Sequence, residues 1–274
     1  MDIKAYKMDG LGNDFVIIDQ RIKNIEFSKE QIIKICDRNF IGCDQLIIIK
    51  KNRELDAGLE FYNSDGSTSG ACGNGTRCVA YLLSKENNNE EITVWTASGI
   101  IRANILKDNL VKTQIGVPKT KWNEIPISEN KNTKNLGIKI VDENNNEHIG
   151  GTAINVGNPH VIFFVKSIDN FNIKKIGPTI ENNKLFPEKC NVTIAEVINQ
   201  NLIKVKVWER GAGQTKACGT AACATAVAGN INGLTKTGTD IEFELGKLSI
   251  FLDEKNSIYM EGPVSEIKEI DIKL

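Results

Sequence analysis

Two cysteines, Cys72 and Cys218, each precede a glycine where a loop pattern gives way to a helical one, in Ala71-Cys72-Gly73-Asn74 and Ala217-Cys218-Gly219-Thr220. The first N–H groups of a helix have no partner within it and carry roughly half a positive charge. Such a terminus binds anions and is expected to lower the pKa of a thiol placed on it from about 8.5. The same N–H groups can hold a carboxylate. Two termini facing one α-carbon would offer it a thiolate on one side and a thiol on the other. Inversion at carbon needs that pair, because one group takes the proton and the opposite group returns one. The bland alternative is that a cysteine is a small buried hydrophobe, which is the expectation for Cys78 and Cys223, one to two turns inside the helices. Cys36 and Cys190 have no companion motif, and Cys43, in FIGCDQLI, reads as a loop thiol.

Competing chemistries need other residues. A Cys/His nucleophile would need His148 or His160 beside one cysteine and would leave the second cysteine unexplained. Zinc would draw on Cys72/Cys78 and Cys218/Cys223, separated by five and four residues along what reads as helix. No GxGxxG occurs, and neither GLGNDF nor GNGTRC fits a nucleotide-binding turn. No Schiff-base lysine with a phosphate cup is recognisable. The expectation is therefore no cofactor and no metal.

Other landmarks repeat with the cysteines. Asn13 in Gly-Asn-Asp-Phe and Asn158 in Gly-Asn-Pro-His precede them by 59 and 60 residues, and Tyr62-Asn63 and Trp208-Glu209 place a polar residue nine before each. Gly99 and Gly246 follow at 27 and 28 residues, inside strand patterns. Register kept within one residue over four landmarks implies an internal duplication, each half one domain.

Each half reads as short strands, several rich in β-branched residues, and one central helix. Strands are predicted near Phe15 to Asp19, Leu46 to Ile49, Leu59 to Tyr62, Ile92 to Thr96, Ile100 to Leu106 and Leu110 to Ile115 in the first half. In the second they fall near Val161 to Val165, Ile203 to Trp208, Ile241 to Glu244, Leu248 to Leu252 and Ser257 to Met260. The helix after Cys218, TAACATAVAG, is apolar on nearly every side and so belongs inside a curled sheet. Asn87 to Asn89 and Asn144 to Asn146 read as turns. Lys119 to Asn132, with Pro126, reads as the connection between halves. The expected domains are residues 1–118 with 264–274, carrying Cys72, and 119–263, carrying Cys218.

Composition bounds the rest. The 274 residues are 41% hydrophobic and 25% charged, close to globular averages, and no apolar run reaches the roughly 18 residues of a membrane span. Lys plus Arg number 34 against 35 Asp plus Glu, a net charge of -1 with no basic stripe for nucleic acid. The opening MDIKAYKMDGLGNDF resembles neither a secretory signal nor a transit peptide, so a cytoplasmic protein with reduced thiols is expected.

KMDGLGNDFVIID, NSDGSTSGACGNGTRC, GNPHV and ERGAGQTKACGTAAC, in this order, resemble the diaminopimelate epimerase family from end to end. The resemblance implies an α/β fold of two pseudo-symmetric domains, each a mixed, mostly antiparallel sheet around a central helix, with the active site in the interdomain cleft. It implies cofactor-independent interconversion of LL- and meso-diaminopimelate, in lysine and peptidoglycan precursor synthesis, by a homodimer. Carried over by residue, Cys72 and Cys218 match the catalytic bases, and Gly73 with Asn74 and Gly219 with Thr220 match the helix openings that hold the reacting carboxylate. His160 and Glu209 match the polar pair near the amine and the thiols. Asn13, Gln45, Asn63, Asn158, Asn191 and Arg210 match positions that fix the two ends of the amino acid. Arg suits bidentate carboxylate recognition. The chain departs from the family at Ala221, where glycine is usual, and at Cys43, where a bulkier apolar residue is usual. A proline or hydroxyproline racemase on the same fold is the nearest alternative, although its first cysteine loop more often reads CGHG. A phenazine-pathway-like isomerase or a non-catalytic relative is a further one.

Overall fold

A computed structural model describes residues 2–70 and 72–274; Ala71, which opens the first cysteine motif, lies outside the described residues. The chain begins with β1 (Asp2–Gly10), β2 (Asn13–Asp19), α1 (Lys29–Cys36), β3 (Gln45–Lys50), β4 (Ala57–Asn63) and β5 (Thr68–Ser69). It continues through α2 (Gly73–Asn87), β6 (Glu91–Thr96), β7 (Gly99–Ile105), β8 (Leu110–Gly116), β9 (Ile138–Val141), β10 (Glu147–Gly150) and β11 (Thr152–Asn155). Then come β12 (Pro159–Val165), α3 (Ile173–Glu181), β13 (Asn191–Asn199), β14 (Leu202–Glu209), β15 (Gly213–Thr215) and α4 (Gly219–Ile231). The last strands are β16 (Gly238–Phe243), β17 (Gly246–Leu252), β18 (Ile258–Pro263) and β19 (Lys268–Lys273). Two compact units result, one holding the chain to Gln114 together with Glu261–Leu274, the other holding Ile115–Met260.

The units repeat one strand plan. In the first, β2 runs parallel to β3, β3 antiparallel to β4, β4 antiparallel to the short β5 and parallel to β6, and β6 antiparallel to β7. In the second, β12, β13, β14, β15, β16 and β17 pair in the same order with the same senses. The repeated glycines have a local cause. Thr96 pairs with Gly99 and Phe243 with Gly246, which closes each hairpin through two residues. Gly99 and Gly246 hold φ of +124° and +142°, a region closed to most side chains.

In the first unit, strands β1 to β4 and β6 to β8 send side chains such as Phe15, Ile47, Phe61, Val94 and Val111 into one core with Cys78, Val79 and Leu82 of α2. The helix is therefore the centre around which the sheet curls. The other face of β2 and β3 packs Val16, Ile18, Leu46 and Ile48 against Ile32 and Ile35 of α1. Strands covered on both faces read as unbroken apolar runs, as FVII and LIII do. In the second unit every residue of α4 from Ala221 to Gly229 is buried, and the helix packs on β11, β12, β13, β16 and β17. Its outer layer is α3, whose Ile173, Ile176 and Ile180 meet Val161, Phe163, Val192 and Ile194.

Several expectations need correcting. Lys119 to Asn132 is not a detached connection: Ile125 and Ile127 are buried in the core of the second unit, and Lys119 bridges to Asn155. The unit boundaries fall inside β8 and β18, a few residues before those expected at 118 and 264. Glu244 and Leu106 lie outside their strands, Glu244 in the hairpin turn. Helices α1 and α3 and strands β1, β5, β9, β10, β11, β13, β15 and β19 were not anticipated. The asparagine turns hold, with Asn88 and Asn145 in the left-handed region. Among the described residues no helix is long and apolar enough to cross a membrane.

Candidate active site

Each cysteine is the N-cap of a central helix, in nearly the same backbone conformation: φ -141°, ψ 114° at Cys72 and φ -142°, ψ 115° at Cys218. The Cys72 carbonyl accepts from the Thr76 N–H at 2.8 Å and the Cys218 carbonyl from that of Ala222 at 3.0 Å, so both helices begin in register. Ala221 sits buried in the first turn of α4, outside the left-handed region, where a methyl group is harmless.

Around Cys72 the first unit gathers Asn13, Gln45, Asn63, Gly73 and Asn74. Parallel β2 and β3 begin at Asn13 and Gln45, and antiparallel β4 ends at Asn63, so one end of the sheet carries all three. The Cys72 thiol lies 3.7 Å from Asn13 Oδ1, and Asn13 Nδ2 donates to Asp44 at 2.9 Å. Gln45 Nε2 donates to Asn63 Oδ1 at 2.8 Å. Asn74 is buried and accepts from Nη2 of the fully buried Arg77 at 2.8 Å. Asp44 also accepts from Arg38, which grips Asp14 with both Nη groups. Burial alone would raise the Asp14 carboxyl; Arg38 holds it below the usual range instead. Asp44, Arg38 and Arg77 were missed from sequence, since their partners lie elsewhere in the chain; the polar Asp44-Gln45 step before an apolar run was the available signal.

The second unit joins Asn158, His160, Asn191 and Arg210 in one cluster and places Glu209, Gly219 and Thr220 beside Cys218. His160 on β12 is level with Asn191 on β13, and Glu209 ends β14. His160 Nε2 lies 2.9 Å from Asn158 Oδ1, Asn191 Nδ2 donates to the Pro159 carbonyl at 3.0 Å, and Asn191 Oδ1 accepts from the Arg210 N–H at 3.0 Å. Arg210 Nη1 donates to the Glu188 carbonyl at 2.8 Å. The Cys218 sulfur is 3.4 Å from the Thr220 hydroxyl.

Electrostatics overturn one expectation. Cys218 is only 6% exposed, and burial first, then the charge of Glu209, push its thiol well above the ordinary range, although Thr220 and the Ala221 N–H pull the other way. The downward pull of the helix terminus is outweighed, and Cys218 is held protonated. His160 is fully buried, and burial together with the Arg210 charge lowers its pKa to about 3, so the ring is neutral. Cys78 and Cys223 are core residues, as expected, with burial raising the Cys78 thiol. Cys43 lies in the loop before β3, as expected, and is buried there with its sulfur 3.4 Å from that of Cys36.

Among the described residues no three His, Cys, Asp or Glu side chains converge as metal ligands would. A cavity of about 330 Å³ between the β9–β10 hairpin and α3 is lined by none of the candidate site residues.

This fold is that of a wider class of two-unit α/β proteins. A PhzF-family phenazine biosynthesis protein from Bacillus anthracis superposes with a TM-score of 0.70 at 16% identity, covering 100% of both chains. A hydroxyproline epimerase from Agrobacterium vitis does so with a TM-score of 0.66 at 12% identity, over 99% of this chain and 93% of that one. Within the class, the diaminopimelate epimerase family profile matches residues 5–121 and 152–267. The chain is 69% identical to a diaminopimelate epimerase of Pelagibacter ubique over 100% of both chains, and 39% identical to one of Acidiphilium cryptum over 96% of this chain and 94% of that one. The chain belongs to the diaminopimelate epimerase family and is an isomerase.

Proposed function

We propose that the chain interconverts LL- and meso-2,6-diaminopimelate by inverting one α-carbon between Cys72 and Cys218, a step in lysine and peptidoglycan precursor synthesis. The observation that carries this reading is the shared N-cap conformation of the two cysteines on equivalent helices. In one direction the Cys72 thiolate removes the α-proton and the Cys218 thiol protonates the opposite face; the reverse reaction exchanges the roles. The burial that keeps Cys218 protonated suits the donating role. N–H groups of Gly73 and Asn74, and of Gly219 and Thr220, receive the α-carboxylate, whose charge the helix termini favour. Glu209 and the neutral His160 stand near the amine and the second thiol. Asn13, Gln45, Asn63, Asn158, Asn191 and Arg210 hold the remaining carboxylates and amines, with Arg210 able to grip a carboxylate through two parallel bonds. On this reading the enzyme acts as a cytoplasmic homodimer, as the family resemblance implies.

The test is removal of each base. Cys72→Ala and Cys218→Ala are each expected to lower epimerisation by at least about 100-fold, with the far-UV circular dichroism unchanged. In deuterated water the wild type is expected to wash the α-proton of diaminopimelate into solvent. Near-normal turnover by Cys72→Ala would sink the assignment.

A further inference from the structure

Glu181 is a buried carboxylate that the mechanism above does not use. It is the last residue of α3, and its side chain is 7% exposed. A carboxylate at the C-terminal end of a helix faces the negative end of the macrodipole, and burial adds a desolvation cost. It does not serve its own helix, whose end is closed by Asn182: the N–H and Nδ2 of that residue donate to carbonyls of the last turn. Both oxygens of Glu181 are used elsewhere. Oε2 accepts from the Trp208 indole Nε1 at 2.7 Å, and Oε1 accepts from the Gly211 backbone N–H at 3.0 Å.

Those two donors bracket Glu209 and Arg210. Trp208 reaches the carboxylate because it lies directly on α3, where a Cβ on Gly177 would come within 2.3 Å of the indole. The equivalent turn of the first unit, after Asn63, is closed by its own residues. There the Asn63 N–H donates to the Ser67 carbonyl at 2.8 Å, and Asn63 Nδ2 donates to the Ser67 hydroxyl at 3.0 Å. After Glu209 the sequence is Arg-Gly-Ala-Gly, which has no polar side chain able to do the same for Glu209. Its backbone closes as that of the first turn does, with the Ala212 N–H donating to the Glu209 carbonyl at 3.1 Å and Glu209 paired with Gly213, and the side-chain tie comes from α3.

We infer that Glu181 is a positioning residue for the reaction: its carboxylate clamps Trp208 and Gly211 and so fixes where Glu209 and Arg210 project. The inference rests on the roles proposed above for those two residues. Charge-assisted bonds of this kind are about twice as strong as neutral ones, and small errors in placing catalytic groups cost large factors in rate.

The experiment is steady-state kinetics on the full chain with LL-diaminopimelate, normalised to folded protein by circular dichroism. Glu181→Gln presents an N–H to one of the two donors and breaks the clamp, so kcat/KM is expected to fall at least 10-fold with both kcat and KM affected. Arg210→Lys and Glu209→Gln are made alone and combined with Glu181→Gln. If the clamp acts through its two neighbours, the Glu181→Gln loss shrinks to under 3-fold in at least one of those backgrounds, whereas a purely structural role leaves normalised kcat/KM unchanged. Glu181→Asp, which keeps the charge but is too short to reach both donors, and Trp208→Phe, which removes one donor, are each expected to lose 3-fold or more. They decide the matter if Glu181→Gln does not fold. Wild-type kcat/KM in the folded Glu181 variants, or a loss that multiplies through undiminished in both backgrounds, overturns the inference. Failure of the underlying reading looks different: Arg210→Lys and Glu209→Gln would each match wild type alone, which overturns both.

Discussion

Cys72 and Cys218 share a backbone conformation but differ in surroundings: Cys72 is half-buried beside Asn13, while Cys218 is enclosed next to Glu209. Position on a helix could be read from sequence; burial could not, because it is set by tertiary packing that the local pattern around Cys218 does not encode. That is why the expected lowering of its pKa fails while its place at a helix N-terminus holds. Asn13, Asn63 and Asn158 were legible because the internal repeat marks them at or beside strand ends, whereas Gln45 and Asn191 were legible only through the family resemblance. Arg38, Asp44, Arg77 and Glu181 were not, since a charged residue in a sequence does not name its partner. His160 yields a prediction at this scale. Folded, its ring stays neutral down to about pH 3, whereas an unfolded histidine protonates near 6.5. Between those values the unfolded chain binds more protons, so this group's contribution to stability falls as the pH falls. His160→Gln, measured by denaturant unfolding at a series of pH values, is expected to lose stability less steeply than wild type from pH 6.5 downward. Parallel profiles would show that the ring is not buried neutral.

The strands were predicted where β-branched residues run together, and the two central helices where small residues follow each cysteine. Helices α1 and α3 escaped because each is short and lies between stronger strand signals. The capping box of α1, formed by Ser28 and Gln31, was its sequence signature. Strand β1 was missed because its alternation of exposed and buried residues breaks at Tyr6 and Lys7. At the start of α2 the packing is close enough to test. A Cβ on Gly75 would lie 2.7 Å from Ile47 Cδ1 and 3.2 Å from the rings of Phe15 and Phe61, all in the core of the first unit. Alanine would gain about 1 kcal/mol in helix propensity, but overpacking a closed core costs about 1–3 kcal/mol. With two aromatic rings behind Ile47, the steric cost is expected to win. Gly75→Ala should therefore lower the unfolding midpoint in denaturant, and an unchanged or raised midpoint would mean that the helix start has room that this packing denies.

The whole molecule is built from one strand plan used twice, with a cysteine at the same helix terminus in each unit, and the proposed mechanism requires both thiols to flank a single α-carbon. When no substrate lies between them, an oxidant such as hydrogen peroxide is expected to join them. The two thiols give up two electrons and two protons, the peroxide becomes two waters, and a Cys72–Cys218 disulfide forms, provided the Cα atoms come within roughly 7 Å. Activity should then vanish and return with a thiol reductant, and bound diaminopimelate should protect. The chain holds a competing pair, Cys36 and Cys43, with sulfurs 3.4 Å apart inside the first unit, and this makes the test specific. Cys72 is half-buried and gives the oxidant an entry point, whereas Cys36 and Cys43 are both buried, so oxidation of that pair is expected to be slower and to leave the time course of inactivation untouched. Peptide mapping under non-reducing conditions, sampled as activity declines, separates the two. Loss of activity in step with the Cys72–Cys218 peptide supports two thiols that share one substrate. Loss in step with a Cys36–Cys43 peptide, or with Cys72 and Cys218 still reduced, would show that they do not.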